Sequence, residues 1–269
     1  MITDLHVLVA DDQIFLDVPA ELASGLVQRL DRNVFTEDVR LANLSDTLTS
    51  VWIHGPAAPG IVGRVLGGAW GLVAWPMYCH AMMQFEQAVV RVARIDQLGV
   101  PGYCIYVAAA LAGELRARLE AAGVTKADQE AVDAARIEAG YPVFGVDMTD
   151  DTIPLEAGIE DRAISFTKGC YVGQEVIVRV VHRGHGRVAR RLVGLRLDAP
   201  VSHGARIVAD GREIGGVTSA AESPRTGPIA MGYVHRDFTV AGTRVGVDMP
   251  GATVAAVVSR GGPSDPPRV

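Results

Sequence analysis

The sequence contains few cysteines, few lysines and few aromatic residues. Its three cysteines among 269 residues show no CxxC pair and no paired spacing. This scarcity argues against a disulfide framework and against a cysteine metal site, so we predict no resident metal. It also indicates a reducing compartment. Because no basic and apolar leader follows Met1, we expect no secretion signal and a cytoplasmic protein.

Long apolar runs and excess positive charge are also lacking. Arg64, several glycines and Pro76 interrupt the most apolar segment, residues 61–79, so no membrane span is predicted. The net charge of −6 argues against strong general nucleic-acid binding. An apolar fraction of 49% and a charged fraction of 21% are typical of a globular protein, here expected to be a monomer.

The first fifty residues predict one helix and part of a mixed sheet. Short apolar runs at residues 6–10 and 13–17 predict a hairpin. Pro19 at a first-turn position, followed by leucines at four-residue spacing, predicts a helix. Residues 34–44 are predicted to be extended. This sheet would need further strands to be complete.

Residues 51–124 predict a separate α/β unit. We expect strands at residues 51–53, 89–95 and 103–107, a helix at residues 56–66, and a second helix lined by Leu111, Leu115 and Leu119. The order strand–helix–strand–strand–helix suggests a ferredoxin-like arrangement.

The remaining residues predict a helix, a long turn-rich passage and a β-rich end. Thr125 and Asp128 have capping-box spacing, so a helix should open there and end before Gly140. Residues 141–167 are rich in turns, and residues 176–181 are strongly β-forming. From Arg190 onward, short strands with turn signals predict a small β-barrel or sandwich.

Residues 168–175, Lys-Gly-Cys-Tyr-Val-Gly-Gln-Glu, combine a thiol, an ammonium, an amide and a carboxylate. A nearby cation can lower the pKa of a cysteine, so Lys168 would favour the thiolate of Cys170. The alternative is an inert buried cysteine, because free cysteine is among the most buried residue types. The polar and glycine neighbours favour the reactive interpretation.

Two further groups of charges leave functional and structural interpretations open. Arg136 lies in an Arg-Ile-Glu-Ala-Gly motif and could bind a carboxylate or lie on a solvated helix face. Seven basic residues between Arg179 and Arg191 could bind an anionic ligand or RNA, or point into solvent. The histidines outside that cluster, such as His6 and His54, are isolated in the sequence, and no role is assigned to them.

The octet matches without a gap the K-G-C-[YF]-x-G-Q-E signature of the YgfZ-like folate-binding proteins. These proteins are relatives of the aminomethyltransferase, or T-protein, of the glycine cleavage system, and the R-x-E-A-G motif at Arg136 occurs in both. The resemblance runs from about residue 2 to about residue 256. Family members usually carry an opening segment before the stretch that residues 1–5 resemble, so we expect either a late start or a truncated product.

The resemblance implies an α+β, multi-domain cloverleaf of the T-protein type around a folate cavity. Residues 1–50 and 125–189 would form the folate-binding domain that carries the octet loop. Residues 51–124 would be a ferredoxin-like insert, residues 190–260 a small C-terminal β-barrel, and residues 261–269 a disordered tail.

The resemblance also implies a function and a site. The cofactor would be tetrahydrofolate or a derivative, and the role would be iron–sulfur cluster assembly or repair and thereby tRNA modification, with iron–sulfur client or assembly proteins as partners. Cys170 and Lys168 would form the reactive pair. The folate contacts would be Asp4, Arg136, Glu156, Gly169, Tyr171, Gly173, Gln174 and Glu175.

Two departures from the T-protein pattern count against the alternative function, an aminomethyltransferase that transfers a one-carbon unit to tetrahydrofolate. The T-protein motif T-G-E-x-G-Y corresponds to residues 98–103, where Val100 stands at the acid position. The T-protein Asp-Asp-Leu corresponds to Thr3-Asp4-Leu5, which keeps one acid. A non-catalytic regulator that binds folate or RNA is a third possibility.

Overall fold

A computed structural model of the chain describes residues 1–68, 71–183 and 187–259, without the side chains of residues 182 and 183. The predicted disordered tail, residues 261–269, lies outside the described residues. Contacts divide the chain into two units. The N-terminal unit is Thr3–Lys126, and the C-terminal unit comprises Met1–Ile2 and the described residues from Ala127 onward. The domain boundaries implied by the resemblance stay predictions.

A four-stranded antiparallel sheet with two helices on one face forms the centre of the N-terminal unit. The strand order is β3-β6-β5-β4. Alternate residues of each strand point toward the helices, which gives a continuous apolar core. Leu115 and Leu119 of α3 are buried in this core, as predicted. The elements are β3 (Leu48–His54), α2 (Ala58–Val65), β4 (His80–Phe85), β5 (Ala88–Arg94), β6 (Gly102–Ala108) and α3 (Ala112–Ala121).

The predicted hairpin at the start of the chain is confirmed. Strands β1 (His6–Val9) and β2 (Ile14–Asp17) pair in antiparallel register and are followed by α1 (Ala20–Asp31). Leu8 is buried with residues of the opposite face of the four-stranded sheet, including Cys104 and Tyr106. The hairpin therefore covers the sheet face that the two helices leave open.

Two expectations for the N-terminal unit need correction. Residues 34–44 contain no strand, and Phe35 is 82% exposed. The backbone N–H groups of Phe35 and Thr36 bond instead to the Glu37 carboxylate, which forms a turn. Strand β4 was missed because its methionines and glutamine are not typical strand formers. Its alternation is nevertheless clear, since Met83 and Phe85 are buried.

Helix α4 (Gln129–Ala139) opens the described C-terminal unit and has the predicted C-terminal end, but it begins later than predicted. Its N-cap is Asp128, whose carboxylate accepts a hydrogen bond from the Ala131 N–H at 2.8 Å. The capping box starting at Thr125 is therefore replaced by a simpler cap one turn later. Gly140 ends the helix with a φ of 67°, a left-handed conformation that favours glycine.

The predicted C-terminal barrel is confirmed as a closed six-stranded barrel of order β10-β7-β12-β11-β8-β9. Its interior is filled by aliphatic side chains from every strand, such as Leu195, Ile207 and Val247. The outer surface of three strands packs on Ile137 of α4. The strands are β7 (Arg190–Leu197), β8 (Arg206–Ala209), β9 (Arg212–Ser223), β10 (Gly227–His235), β11 (Arg244–Met249) and β12 (Ala252–Ser259).

The segment between α4 and the barrel contains three short helices. They are α5 (Pro154–Ala157), α6 (Glu160–Ala163) and α7 (Gln174–Val178), the last continued by a π-helical turn at Arg179–Arg183. The predicted strand at residues 176–181 is therefore wrong. Ile177, Val180 and Val181 have the i, i+3, i+4 spacing of one helical face and pack with Leu155 and Val188. This packing overrides the β-propensity of valine and isoleucine.

No helix in the described part of the chain is long and apolar enough to span a membrane.

Candidate functional site

The octet forms an exposed loop that leads into α7. Gly173 has a φ of +88° and precedes the helix, and the Gln174 N–H donates to the Tyr171 carbonyl at 3.1 Å. Cys170 is exposed on this loop. The Lys168 Nζ lies 4.8 Å from the centroid of the Tyr171 ring, a cation–π contact. The loop therefore presents an exposed thiol two residues from a lysine whose ammonium contacts an aromatic ring.

The other residues of the octet line the same loop. Gln174 is half-buried, whereas Gly169, Gly173 and Glu175 are exposed. Glu175 forms an ion pair with Arg179 at 3.5 Å on the exposed face of α7. The loop thus offers the ring of Tyr171 and the amide of Gln174 as groups that a planar polar ligand could contact.

The three cysteines differ sharply in environment. Cys104 is fully buried, and this burial raises its pKa well above the ordinary value. Cys79 is half-buried, and Cys170 is exposed. The buried inert interpretation considered for Cys170 therefore applies to Cys104 instead.

Arg136 lies in the interior of the C-terminal unit, bonded to protein groups. Its Nη1 donates to the Asp147 carboxylate at 2.7 Å, its Nε to Asp133 at 2.5 Å, and its Nη2 to the Ser219 hydroxyl at 3.0 Å. Asp147 also accepts hydrogen bonds from the hydroxyls of Thr218 and Ser219. The guanidinium therefore links α4 to strand β9, and its predicted contact with folate stays a prediction.

The glutamate of the same motif has a similar environment. Glu138 accepts hydrogen bonds from the Ser223 hydroxyl and from the Arg225 guanidinium. Ser223 is the last residue of β9, and Arg225 lies in the turn that follows it. The R-x-E-A-G motif thus fixes α4 against the barrel, a role that its sequence did not reveal.

Glu156 and Glu160 are buried acids that pair with successive arginines of β7. Glu156 accepts from Arg190 at 3.0 Å, and Glu160 accepts from Arg191 at 2.6 Å. The Arg190 guanidinium also lies 4.8 Å from the ring of Tyr233, whose pKa is raised by burial to about 12. Glu156 was predicted to contact folate, which stays a prediction, and the matching environment of Glu160 was missed.

The basic cluster predicted between Arg179 and Arg191 is only partly described. Arg179, Arg190 and Arg191 each pair with a glutamate. Residues 184–186 and the side chains of residues 182 and 183 lie outside the described part. The described arginines therefore serve the fold at least in part.

Asp4 belongs to the N-terminal unit, whereas the octet, Arg136 and Glu156 belong to the C-terminal unit. Asp4 is half-buried, and its carbonyl accepts a hydrogen bond from the Thr3 hydroxyl at 2.9 Å. At the T-protein-like turn of the same unit, Asp96 accepts from the Gly102 N–H at 2.8 Å. Val100 in that turn has no side-chain hydrogen-bond acceptor.

A second group of polar residues occurs beneath the hairpin and was not found from the sequence. The His6 Nδ1 lies 3.2 Å from the Asp17 Oδ2, and the Tyr106 hydroxyl donates to the same oxygen at 2.8 Å. We call these three residues the His6 cluster. Because Tyr106 is 89 residues from Asp17 in the sequence, no local pattern could bring them together. The described residues contain no group of three or more His, Cys, Asp or Glu that could hold a metal ion.

Comparison with known proteins gives matches along most of the chain. Residues 1–168 match the GCVT N-terminal domain, and residues 190–264 match the glycine cleavage T-protein C-terminal barrel domain. A crystal structure of the glycine cleavage system aminomethyltransferase T from Bartonella henselae superposes with a TM-score of 0.82 at 24% identity, covering 96% of this chain and 70% of that chain. The predicted T-protein type of fold is therefore confirmed.

Several similar proteins are named aminomethyltransferase. The one from Nostoc sp. is 35% identical over 253 residues, which cover 91% of this chain and 65% of that protein. The one from Streptomyces coelicolor is 32% identical over 250 residues, covering 89% and 63%. The one from Thermosynechococcus vestitus is 34% identical over 209 residues, covering 77% and 56%.

The chain thus spans 56 to 65% of the length of these three relatives. The predicted superfamily is confirmed, while the narrower YgfZ-like assignment stays a prediction. The two matches include residues of both described units, and the first alone covers more than half of the sequence. The chain therefore belongs to the glycine cleavage T-protein family.

Proposed function

We propose that this chain is a tetrahydrofolate-binding protein of the YgfZ-like branch, acting in iron–sulfur cluster assembly or repair and thereby in tRNA modification. The observation that carries the proposal is the exposed Cys170 in the Lys-Gly-Cys-Tyr-Val-Gly-Gln-Glu loop. An exposed thiol suits transient contact with sulfur or iron. A single cysteine does not hold a cluster that takes four thiolate ligands, so an iron–sulfur client or assembly protein would supply the rest.

The residues of the C-terminal unit fit tetrahydrofolate in part. Tyr171 and Gln174 are half-buried on the octet loop and would offer a ring and an amide to the folate. Arg136 and Glu156 form ion pairs within the protein, so they would stabilise the walls around a ligand more readily than bind it directly. When bound, tetrahydrofolate would carry one-carbon units on N5 of its pterin ring and on N10 of the linking amine.

A second candidate function is aminomethyl transfer to tetrahydrofolate. The names of the similar proteins favour it, and they support it more directly than they support the iron–sulfur role. Val100 at the acid position and Thr3 in place of an aspartate count against it. Both candidates share folate binding, so the first experiment tests what they have in common.

Tetrahydrofolate or folinic acid should raise the melting temperature of the protein. A ligand that binds only the native state contributes roughly 2.7 kcal/mol of stability at a hundredfold excess over its dissociation constant. For a chain of this size each kcal/mol raises the melting temperature by about 2–4 °C, so the shift should be about 5–11 °C, measured by differential scanning fluorimetry. Glutamate, which lacks the pterin, is the control. No shift at saturating folate would contradict the proposed cofactor.

The iron–sulfur role is tested in cells that lack a YgfZ-like protein. The unmodified chain should restore the activity of iron–sulfur enzymes, and Cys170→Ser should not restore it. Cys79→Ser is the control, because that half-buried thiol lies outside the octet. Equal complementation by Cys170→Ser would refute the proposed role of the thiol.

A further inference from the structure

A hydrogen bond joins each end of the β1–β2 hairpin to the four-stranded sheet. At the end formed by His6 and Asp17, the Asp17 carboxylate accepts from the Tyr106 hydroxyl at 2.8 Å. At the turn end, the Nε2 of His80 in β4 lies 3.1 Å from the Val9 carbonyl oxygen. Histidine is the side chain that ordinarily titrates between about pH 5 and 8, so the turn end is held by a group whose charge can change there.

Arg91 of β5 fixes the tautomer of His80. The Arg91 Nη1 lies 3.1 Å from the His80 Nδ1. A guanidinium only donates hydrogen bonds, so Nδ1 accepts through its lone pair and the ring proton lies on Nε2. The Nε2–H then donates to the Val9 carbonyl, which only accepts. The two bonds together therefore require a neutral imidazole.

A second proton on His80 is incompatible with this arrangement. It would occupy the Nδ1 lone pair that Arg91 uses and would place two cations 3.1 Å apart. Arg91 is 5% exposed, so water screens the repulsion poorly. Its guanidinium also lies 5.5 Å from the centroid of the Phe15 ring, which keeps it in place. Since both imidazole nitrogens belong to one rigid ring, a ring that moves away from Arg91 also leaves the Val9 carbonyl.

Three other titratable groups on this side of the sheet stay neutral near pH 7. Burial raises the pKa of Tyr106 and the pKa of Cys104 above their ordinary values. Burial lowers the pKa of His54, which stacks on Trp52. None of these groups supplies a charge that would stabilise a protonated His80.

The charged groups of the hairpin either act in the opposite direction or are exposed. The His6 Nδ1 lies 3.2 Å from the Asp17 carboxylate, and protonation of His6 would strengthen that pair. Asp11 and Asp12 in the turn are exposed, so solvent weakens their attraction for a charged His80. A fall in pH therefore strengthens the His6 end of the hairpin and weakens the turn end.

We propose that His80 is a pH-sensitive latch that holds the turn end of the β1–β2 hairpin on the sheet. At the upper end of the range in which histidines titrate, the neutral ring joins Arg91 to the Val9 carbonyl and the hairpin is closed. As the pH falls through that range, protonation breaks the bond to Arg91 and releases the turn end, while Asp17 and Tyr106 hold the other end. The stability that the latch contributes is thus present at high pH and lost at low pH.

The tautomer of His80 gives the first test. Nitrogen NMR of the ¹⁵N-histidine-labelled chain, assigned with a His80→Gln variant, should show Nε2 protonated and Nδ1 unprotonated at the alkaline end of the histidine range, about pH 8. A ring protonated on Nδ1 under these conditions would overturn the proposal.

Hydrogen exchange followed by mass spectrometry gives the second test. After correction for the intrinsic effect of pH, exchange in residues 6–17 should become about tenfold faster when a hydrogen bond to a charged group is lost between about pH 8 and about pH 5.5. Peptides from barrel strand β7 should keep their protection, which shows that the chain stays folded. Equal protection of the hairpin at the two pH values would refute the latch.

Substitutions of His80 separate the titration from the hydrogen bonds. In His80→Gln the amide can donate to Val9 and accept from Arg91 without titrating, so hairpin protection should be the same at both pH values. His80→Ala removes both bonds, so exchange should be fast at both. The matched control is His203→Gln in the barrel, where the His203 Nδ1 lies 2.7 Å from the Thr218 carbonyl. This control should keep the pH response of the unmodified chain.

A pH response that persists in His80→Gln would assign the effect to another group and overturn the proposal. A pH response that is lost in His203→Gln would do the same. If His80→Ala does not fold, the comparison of His80→Gln with the unmodified chain still decides the outcome. These measurements contain no folate, so their results are independent of the proposed function.

Discussion

Some charged side chains of this protein form buried ion pairs, and others form exposed ion pairs. Arg136 is 7% exposed and Asp147 is 2% exposed, and they bond to each other and to hydroxyls of the barrel. Burying such a pair is costly, and it is tolerated because nearly every lone pair and proton finds a partner. Among the residues that the structure describes, the exposed pair of Glu175 and Arg179 shows no such network.

Removing the charge of Asp147 should therefore destabilise the protein strongly. Asp147→Asn keeps the shape but leaves Arg136 with only the half-exposed Asp133 as its acid, so unfolding should become easier by about 3 kcal/mol. Denaturant unfolding measures this change. The matched control, Glu175→Gln, breaks an exposed pair and should cost less than about 1 kcal/mol. Equal effects of the two substitutions would show that the Arg136 network is not a stabilising core.

The three cysteines should react with iodoacetamide in the order of their exposure. Cys170 should be alkylated first and Cys79 more slowly, while Cys104 should react only on unfolding, because its thiol is buried and its pKa is raised. Mass spectrometry of timed samples measures the order. Cys170→Ser should leave the melting temperature nearly unchanged, since exposed substitutions rarely cost more than about 0.5 kcal/mol. Slowest labelling at Cys170 would restore the buried interpretation.

The helices and strands with complete local signals could be predicted from the sequence. Helix α4 ends at the predicted glycine, Gly140, in a left-handed conformation, whereas its N-cap is Asp128 and not the predicted Thr125. Helix α7 could not be predicted, because Ile177 is β-forming and its helical conformation depends on packing with Leu155 and Val188. The His6 cluster depends on pairing between strands that are far apart in the sequence, so it too was invisible.

Strand β6 contains a position where glycine is required by close packing. A Cβ at Gly102 would overlap the Ile95 carbonyl oxygen and the ring of His54 on the paired strand. Gly102→Ala should therefore destabilise the protein by about 1–3 kcal/mol, the usual cost of overpacking, measured by thermal unfolding.

A matched glycine in α3 gives the control for this substitution. Nothing lies within 4 Å of a Cβ built at Gly113, and the position is helical. Gly113→Ala should therefore stabilise the protein by roughly 0.5–1 kcal/mol. If Gly102→Ala were as well tolerated as Gly113→Ala, the close approach of His54 to strand β6 would be incorrect.

At the scale of the whole molecule, family membership is inferred from long matched segments, whereas the proposed function is inferred from a few single positions. The matched domains establish the T-protein family across both units, and the barrel is the part that the strand pattern alone had indicated. Of the position-specific differences, Cys170 lies between the two matched segments, whereas Val100 and Thr3 lie within the first. A fold shared with aminomethyltransferases therefore does not decide whether this chain transfers a one-carbon unit.

The chain should show no detectable aminomethyl transfer from a lipoyl-bound intermediate to tetrahydrofolate. Such an enzyme must hold the pterin in a near-attack geometry. A carboxylate at the position of Val100 would both bind the pterin and orient it. Facing an apolar side chain, each unmatched polar group of the pterin would cost on the order of 1–3 kcal/mol. Val100→Glu alone should not restore turnover, because Thr3 remains. The assay follows methylene-tetrahydrofolate formation, with a T-protein of known activity as the positive control, and robust turnover by the unmodified chain would assign it to the aminomethyltransferases.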